Sequence, residues 1–173
     1  MKTTVLAAAA ATLMAATPAL ADGEWTGFYA GIGIGNLDVD TTIGADNDDR
    51  AYGVHAGYRY DLGQWVVGGE VEYDTSDFLL APGVSVDNVG RLKGTFGYDT
   101  GLALIYLAVG VADVTVGGVG DETGEFYGIG FAYQITPRAE VSAELLEHDF
   151  DNIGGSGIGA DATSFNVRAA LRF

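Results

Sequence analysis

With 24 acidic residues against 8 basic ones, this chain of 173 residues carries a net charge of −16, which excludes a nucleic-acid partner because phosphate binding needs clustered Lys and Arg. It contains no cysteine, so neither a disulfide framework nor a cysteine-ligated zinc or iron–sulfur centre is available. A positive mean hydropathy of +0.19 beside so large a charge requires apolar and charged surfaces to be kept apart.

At the N-terminus Lys2, the apolar run Val5 to Ala16 and the small-residue site Ala19-Leu20-Ala21 read as an export signal over residues 1–21, leaving a single domain over 22–173. The run holds about twelve residues, too few for a helix that crosses a bilayer with roughly twenty.

Eight stretches then alternate with a period of two. The first, Thr26 to Leu37, sets Phe28, Ala30, Ile32 and Ile34 outward and Tyr29, Gly31, Gly33 and Gly35 inward. The second, Ala51 to Tyr60, sets Tyr52, Val54, Ala56, Tyr58 and Tyr60 against Gly53, His55, Gly57 and Arg59. In the third, Trp65, Val67, Gly69, Val71 and Tyr73 oppose Val66, Gly68, Glu70 and Glu72; in the fourth, Leu92, Gly94, Phe96 and Tyr98 oppose Arg91, Lys93, Thr95 and Gly97. The fifth sets Ile105, Leu107, Val109 and Val111 against Tyr106, Ala108, Gly110 and Ala112. The sixth sets Tyr127, Ile129, Phe131, Tyr133 and Ile135 against Gly128, Gly130, Ala132 and Gln134. The seventh sets Ala139, Val141, Ala143 and Leu145 against Glu140, Ser142, Glu144 and Leu146. The last puts Thr163, Phe165, Val167, Ala169, Leu171 and Phe173 on one wall and Ser164, Asn166, Arg168, Ala170 and Arg172 on the other.

A strand with one apolar and one polar wall needs hydrocarbon on one side and a polar enclosure on the other. Closure supplies both and leaves no unpaired backbone edge in lipid, so the expected fold is all-β, an eight-stranded antiparallel up-and-down transmembrane β-barrel. Connections Asp61 to Gln64, Asp99 to Ala103 and Thr136 to Arg138 are short, whereas Asp38 to Arg50, Asp74 to Asn88, Asp113 to Gly124 and His148 to Asp161 are long. Tight periplasmic turns and longer outside loops have this asymmetry. Tyr60, Trp65, Tyr98 and Phe173 then form the periplasmic aromatic belt, and Tyr52, Tyr73, Tyr127 and Phe165 the outer one.

Trp25-Thr26-Gly27-Phe28-Tyr29-Ala30-Gly31, Arg91-Leu92-Lys93-Gly94-Thr95-Phe96-Gly97-Tyr98, Tyr106-Leu107-Ala108-Val109-Gly110-Val111-Ala112 and the terminal Arg172-Phe173 resemble the eight-stranded OmpA-like and opacity-type outer-membrane barrels, a porin family of the Gram-negative cell envelope. Leu145 and Leu171 stand where that family often has Tyr. The resemblance implies that Phe173 is the assembly signal read by the barrel-assembly machinery; it does not imply anchoring to the cell wall.

Mapping the charges assigns Arg59, Arg91, Lys93, Arg168 and Arg172 to the lumen, against Glu70, Glu72, Glu140 and Glu144. Eight strands enclose a lumen just wide enough for side chains to fill, and a buried unpaired charge is costly. These nine residues are therefore expected to form an ion-pair plug, with Arg59, Arg91 and Arg168 neutralising Glu70, Glu72 and Glu144. A narrow ion path lined by the same groups is the alternative.

Catalysis is not expected. His55 and His148 lie on strands that are not neighbours, and neither has a serine or a convincing carboxylate partner at strand spacing; His55 reads as lumen packing and His148 as solvent-exposed, with an outer-membrane lipid hydrolase as the minor alternative. Gly31-Ile32-Gly33-Ile34-Gly35 is not a dinucleotide fingerprint, because its glycines lie inside a strand instead of ending one and opening a helix. Most of the remaining carboxylates, Asp74 and Glu125 among them, fall in outer loops. Asp46, Asp48 and Asp49, or Asp121 and Glu122, offer oxygen ligands to loosely bound Ca²⁺ or Mg²⁺, but without the twelve-residue calcium-loop pattern. A solvated acidic surface is preferred and no cofactor is expected. The chain reads as a monomeric structural protein of the envelope, with outer-membrane lipid, lipopolysaccharide and the assembly machinery as partners. A low-conductance porin-like channel and an adhesion or ligand-binding surface are the alternatives.

Overall fold

The computed structural model describes residues 25–40, 48–81, 84–116, 120–150 and 160–173; the export signal expected over 1–21 lies outside them. Eight strands follow one another: β1 Gly27–Asp40, β2 Asp48–Asp61, β3 Trp65–Ala81, β4 Val84–Asp99, β5 Leu104–Val116, β6 Gly120–Thr136, β7 Ala139–Phe150 and β8 Ala160–Arg172. Each pairs antiparallel with its neighbour in sequence, and β1 pairs with β8 to close the barrel. No strand edge is left over, which is the condition for spanning a medium without water.

The walls separate by parity. Ile32, Tyr52, Val54, Leu92, Leu107, Val109, Ile129 and Leu171 are exposed on the outside, while Tyr29, His55, Arg59, Glu70, Lys93, Tyr106, Glu144 and Arg168 are buried inside. Tyr52 and Tyr60 are eight residues apart, as are Trp65 and Tyr73. At ~3.3 Å per residue and a tilt of about 40° these belts stand ~20 Å apart, close to the ~25 Å apolar band of a membrane barrel. In the lower belt Trp65 stacks on Phe96 at 5.0 Å and meets Tyr98 edge-on at 5.2 Å.

Two of the three short turns share one device. Asp61 accepts from the Gly63 N–H at 2.7 Å, and Asp99 accepts from the Gly101 N–H at 2.8 Å. Both glycines have positive φ, 103° and 79°, the conformation that closes these Asx turns without a Cβ penalty.

The strands run further than the hydrophobic pattern predicts. Segments read as long loops are partly hairpin: β3 and β4 extend to Ala81 and from Val84, and β5 and β6 to Val116 and from Gly120. Backbone pairing needs no apolar wall, so the ladder continues beyond the outer aromatic belt, where alternation fades.

Candidate functional site: the charged lumen

The lumen is layered from the turn end upward. Trp25, just before β1, packs with Val66, Leu104, Tyr106 and Ala132 in a buried apolar cluster. Its backbone N–H donates to Asp61 at 3.2 Å, and the Arg172 guanidinium lies 5.4 Å from its ring. Above it, Arg59 Nη1 donates to both Glu140 oxygens at 2.8 Å, and Arg172 Nε lies 3.5 Å from the same carboxylate.

Next come two aromatic rings. The Arg59 guanidinium lies 4.1 Å from the Tyr29 ring and 5.9 Å from the Tyr106 ring. Both hydroxyls point away from Arg59 into the following layer: Tyr29 donates to Glu70 at 2.7 Å and Tyr106 donates to Glu144 at 2.8 Å. Glycines make room for the rings. A Cβ at Gly57 would come within 2.5 Å of the Tyr29 hydroxyl.

The middle layer is built around Lys93, whose Nζ donates to Glu70 at 2.8 Å, Glu72 at 2.9 Å and Glu144 at 2.7 Å. All three ammonium protons are used. Arg168 reinforces the same carboxylates, at 2.6 Å from Glu70, 3.4 Å from Glu72 and 2.5 Å from Glu144, and also donates to Tyr106 at 2.9 Å. None of these five charged side chains is more than 3% exposed. Among the described residues, Glu70, Glu72 and Glu144 are the three carboxylates close enough to share a metal ion, with ligand atoms within 4.8 Å of one another. The Lys93 ammonium is the cation that bridges them.

The upper layer holds two residues whose predicted places are corrected. Asp74, read as the start of an outer loop, is buried on the inner wall of β3 and pairs with Arg91, which also binds Glu72 at 2.9 Å. His148, read as solvent-exposed, is buried: its Nε2 accepts from Arg91 Nε at 3.1 Å and its ring lies 5.4 Å from Phe126. In both cases the inner parity of the strand continues past the outer belt. Glu70, Glu72 and Asp74 share one wall of β3, as Glu144, Leu146 and His148 share one wall of β7.

Asp74 also completes the charge balance. Among the described residues, Arg59, Arg91, Lys93, Arg168 and Arg172 face Glu70, Glu72, Asp74, Glu140 and Glu144, five charges of each sign. The expected pairs Arg91 with Glu72 and Arg168 with Glu144 are in contact, whereas Arg59 belongs to Glu140 on the opposite side of the barrel. Asp46 lies outside the described residues, as do the side chains of Asp48, Asp49, Asp121 and Glu122. Phe173 continues β8, its N–H donating to the Phe28 carbonyl at 2.8 Å with the ring exposed on the outer wall.

The closed barrel wall is shared with solved structures. No curated protein matches the chain in sequence. Among solved structures it is similar to Neisserial surface protein A, with a TM-score of 0.64 and 14% identity over 86% of this chain and 98% of that one. It is also similar to Ail, the attachment invasion locus protein of Yersinia pestis, with a TM-score of 0.63 and 14% identity over 86% and 99%. The N-terminal β-barrel domain of Pseudomonas aeruginosa OprF gives a TM-score of 0.51 and 16% identity over 83% and 97%. Identities this low speak for the fold alone. The family model of the outer membrane protein beta-barrel domain, however, matches residues 7–173. The chain therefore belongs to the outer membrane protein β-barrel domain family, and its eight-stranded wall is the part that lies in the bacterial outer membrane.

Proposed function

We propose that the protein is a non-catalytic structural component of the outer membrane, a monomeric barrel whose lumen is plugged by its own ion pairs and which contributes to envelope integrity. The single observation that carries this reading is the Lys93 layer. Lys93, Arg168, Glu70, Glu72 and Glu144 reach across the lumen from β3, β4, β7 and β8 with hydrogen-bonded ion pairs and almost no exposure. A conducting path would need these groups to face water, which hydrates and loosens such pairs. Planar-bilayer recording of the refolded protein tests it. Absence of steady conductance is expected, and an ohmic current under physiological salt would replace the plug with the channel. A deletion strain that leaks periplasmic enzymes, rescued by the wild-type barrel, would carry the integrity role. Ligand or cell binding that is lost with the outer loops would instead favour adhesion.

A specific observation supports a further element of this reading, contact with lipopolysaccharide through divalent cations. Asp113, Glu125, Glu147 and Asp149 are exposed on the outward wall beyond Val111 and Tyr127, and Glu125 stands directly across from Asp149 in the β6–β7 register. Facing like charges repel, and an anionic leaflet beside them adds to the repulsion unless Mg²⁺ or Ca²⁺ lies between. Melting in lipopolysaccharide-containing bilayers is expected to fall on chelation. Unchanged melting, or equal behaviour of a Glu125→Gln/Asp149→Asn variant, would remove this element.

A further inference from the structure

Between β1, β2, β3 and β8 the outer half of the lumen contains a cavity of about 10 Å³, whose walls include Gly33, Gly35, Gly53, Asp74, Asn166 and Arg168. The inward glycines let its polar side chains lie against the wall: a Cβ at Gly35 would meet Asn166 Oδ1, one at Gly53 would meet Asp74 Oδ1, and one at Gly33 would come within 3.0 Å of Arg168 Cγ. Two donors on its wall have no acceptor in the protein: Asn166 Nδ2 and Arg168 Nε, on residues 6% and 3% exposed. Arg168 cannot turn to satisfy Nε. Its terminal nitrogens are already held by Glu70 at 2.6 Å, Glu144 at 2.5 Å and Tyr106 at 2.9 Å, so the guanidinium is pinned.

We infer that this cavity is a binding site for one water molecule, which accepts from Arg168 Nε and Asn166 Nδ2 and donates to the carboxylates of Asp74 or Glu72. The volume is that of a single water. Unpaired buried donors call for an acceptor, which excludes a metal cation as the occupant. A halide would satisfy both donors but would face Asp74 and Glu72, which line the same cavity; water accepts and donates at once and suits both kinds of neighbour. The site goes beyond the plug and does not rest on it, because the two donors are buried whether or not ions pass elsewhere. Its effect is to join the Arg168 layer to the Arg91–Asp74 pair above it through a bridging molecule.

The test uses the intact barrel, refolded in lipid nanodiscs with ¹⁵N-arginine, and reads water cross-relaxation at the Arg168 Nε–H, assigned by its loss in Arg168→Lys. A cross-peak with the sign of a long-lived bound water is expected, and its loss in Asn166→Leu. No cross-peak in the wild type overturns the site, as does an unchanged cross-peak in Asn166→Leu or a structure in which Asn166 Oδ1 accepts directly from Arg168 Nε. A crystal grown in bromide supplies an independent arm: an anomalous peak between Asn166 and Arg168 would assign the cavity to an anion and overturn water. If Asn166→Leu does not fold, the wild-type cross-peak and the bromide crystal still decide. Bilayer conductance bears on the plug alone, so failure of either reading leaves the other measurable.

Discussion

Replacing Lys93 with Met keeps the aliphatic stem and removes the ammonium that binds Glu70, Glu72 and Glu144. A hydrogen bond to a charged group contributes about 1.5–3 kcal/mol net, so three such bonds set an upper range of ~4.5–9 kcal/mol. That range overstates the loss, because each carboxylate keeps another cation. Arg168 remains 2.6 Å from Glu70 and 2.5 Å from Glu144, and Arg91 remains 2.9 Å from Glu72. What is left is one excess negative charge in a closed lumen, and removal of one partner from a buried ion pair costs about 3–5 kcal/mol. The double variant Lys93→Met/Glu144→Gln restores the balance, and Gln still offers an acceptor to Tyr106 and Arg168, so it is expected to lose less than half as much as Lys93→Met alone. Urea unfolding in lipid vesicles, followed by the fluorescence of Trp25 and Trp65 and by the folded-to-unfolded gel shift, measures both. A single-variant loss under about 1 kcal/mol would mean that water already screens the layer, and a double-variant loss equal to the sum of the two singles would mean that the charges are not coupled. Either result refutes a coupled ion-pair plug.

Three further perturbations probe other layers. Val109, 59% exposed on the outer wall of β5, should cost about 2–4 kcal/mol in bilayers when changed to Arg; an unchanged unfolding curve would place that wall away from lipid. Trp25→Ala removes the apolar cap and should cost about 3–5 kcal/mol, yet it should leave the barrel non-conducting because the Lys93 layer lies beyond it; a new steady current in planar bilayers would make Trp25 the actual seal. His148→Leu leaves Arg91 Nε without its acceptor and should destabilise by about 1–3 kcal/mol in the same urea assay, whereas an exposed histidine would give a change near zero.

The wall was legible because a strand has only two faces. From the alternation of Tyr52, Val54, Ala56, Tyr58 and Tyr60 with Gly53, His55, Gly57 and Arg59, the inside and outside of β2 follow without knowledge of any neighbour. Asp74 and His148 were misplaced for a related reason. Each lies just beyond the last outward apolar residue of its strand, Tyr73 for Asp74 and Leu145 for His148, and the polar run there reads as a loop, although counting on by twos from Glu72 or from Leu146 keeps each of them inside. The pairing of Arg59 with Glu140 was not legible. The two residues are 81 positions apart, and their meeting depends on the relative heights of strands on opposite sides of the barrel, which the closing β1–β8 register sets. The cap is another matter: Trp25 lies one residue before the first predicted strand, so no periodicity assigns it a face.

The balance of five against five in the lumen has a consequence for the outside of the molecule. With those ten residues neutral as a set, the whole net charge of −16 resides elsewhere on the chain. At the turn end the acidic side chains are structurally engaged: Asp61 binds the Trp25 and Gly63 N–H groups at 3.2 and 2.7 Å, and Asp99 binds the Gly101 N–H at 2.8 Å. At the opposite end Asp113, Glu125 and Asp149 stand exposed on the outward wall, and Glu147 accepts from Tyr127 at 2.7 Å. Carboxylates that hold turns are part of the fold and cannot be neutralised without loosening it. Exposed carboxylates that hold no turn, such as Glu125 and Asp149, can be neutralised without that cost. The lumen of described residues thus carries no net charge, and the exposed carboxylates stand at the end opposite the short turns. Neutralising Asp61 is therefore expected to act on folding, whereas neutralising Glu125 and Asp149 should act on how the folded barrel responds to divalent cations.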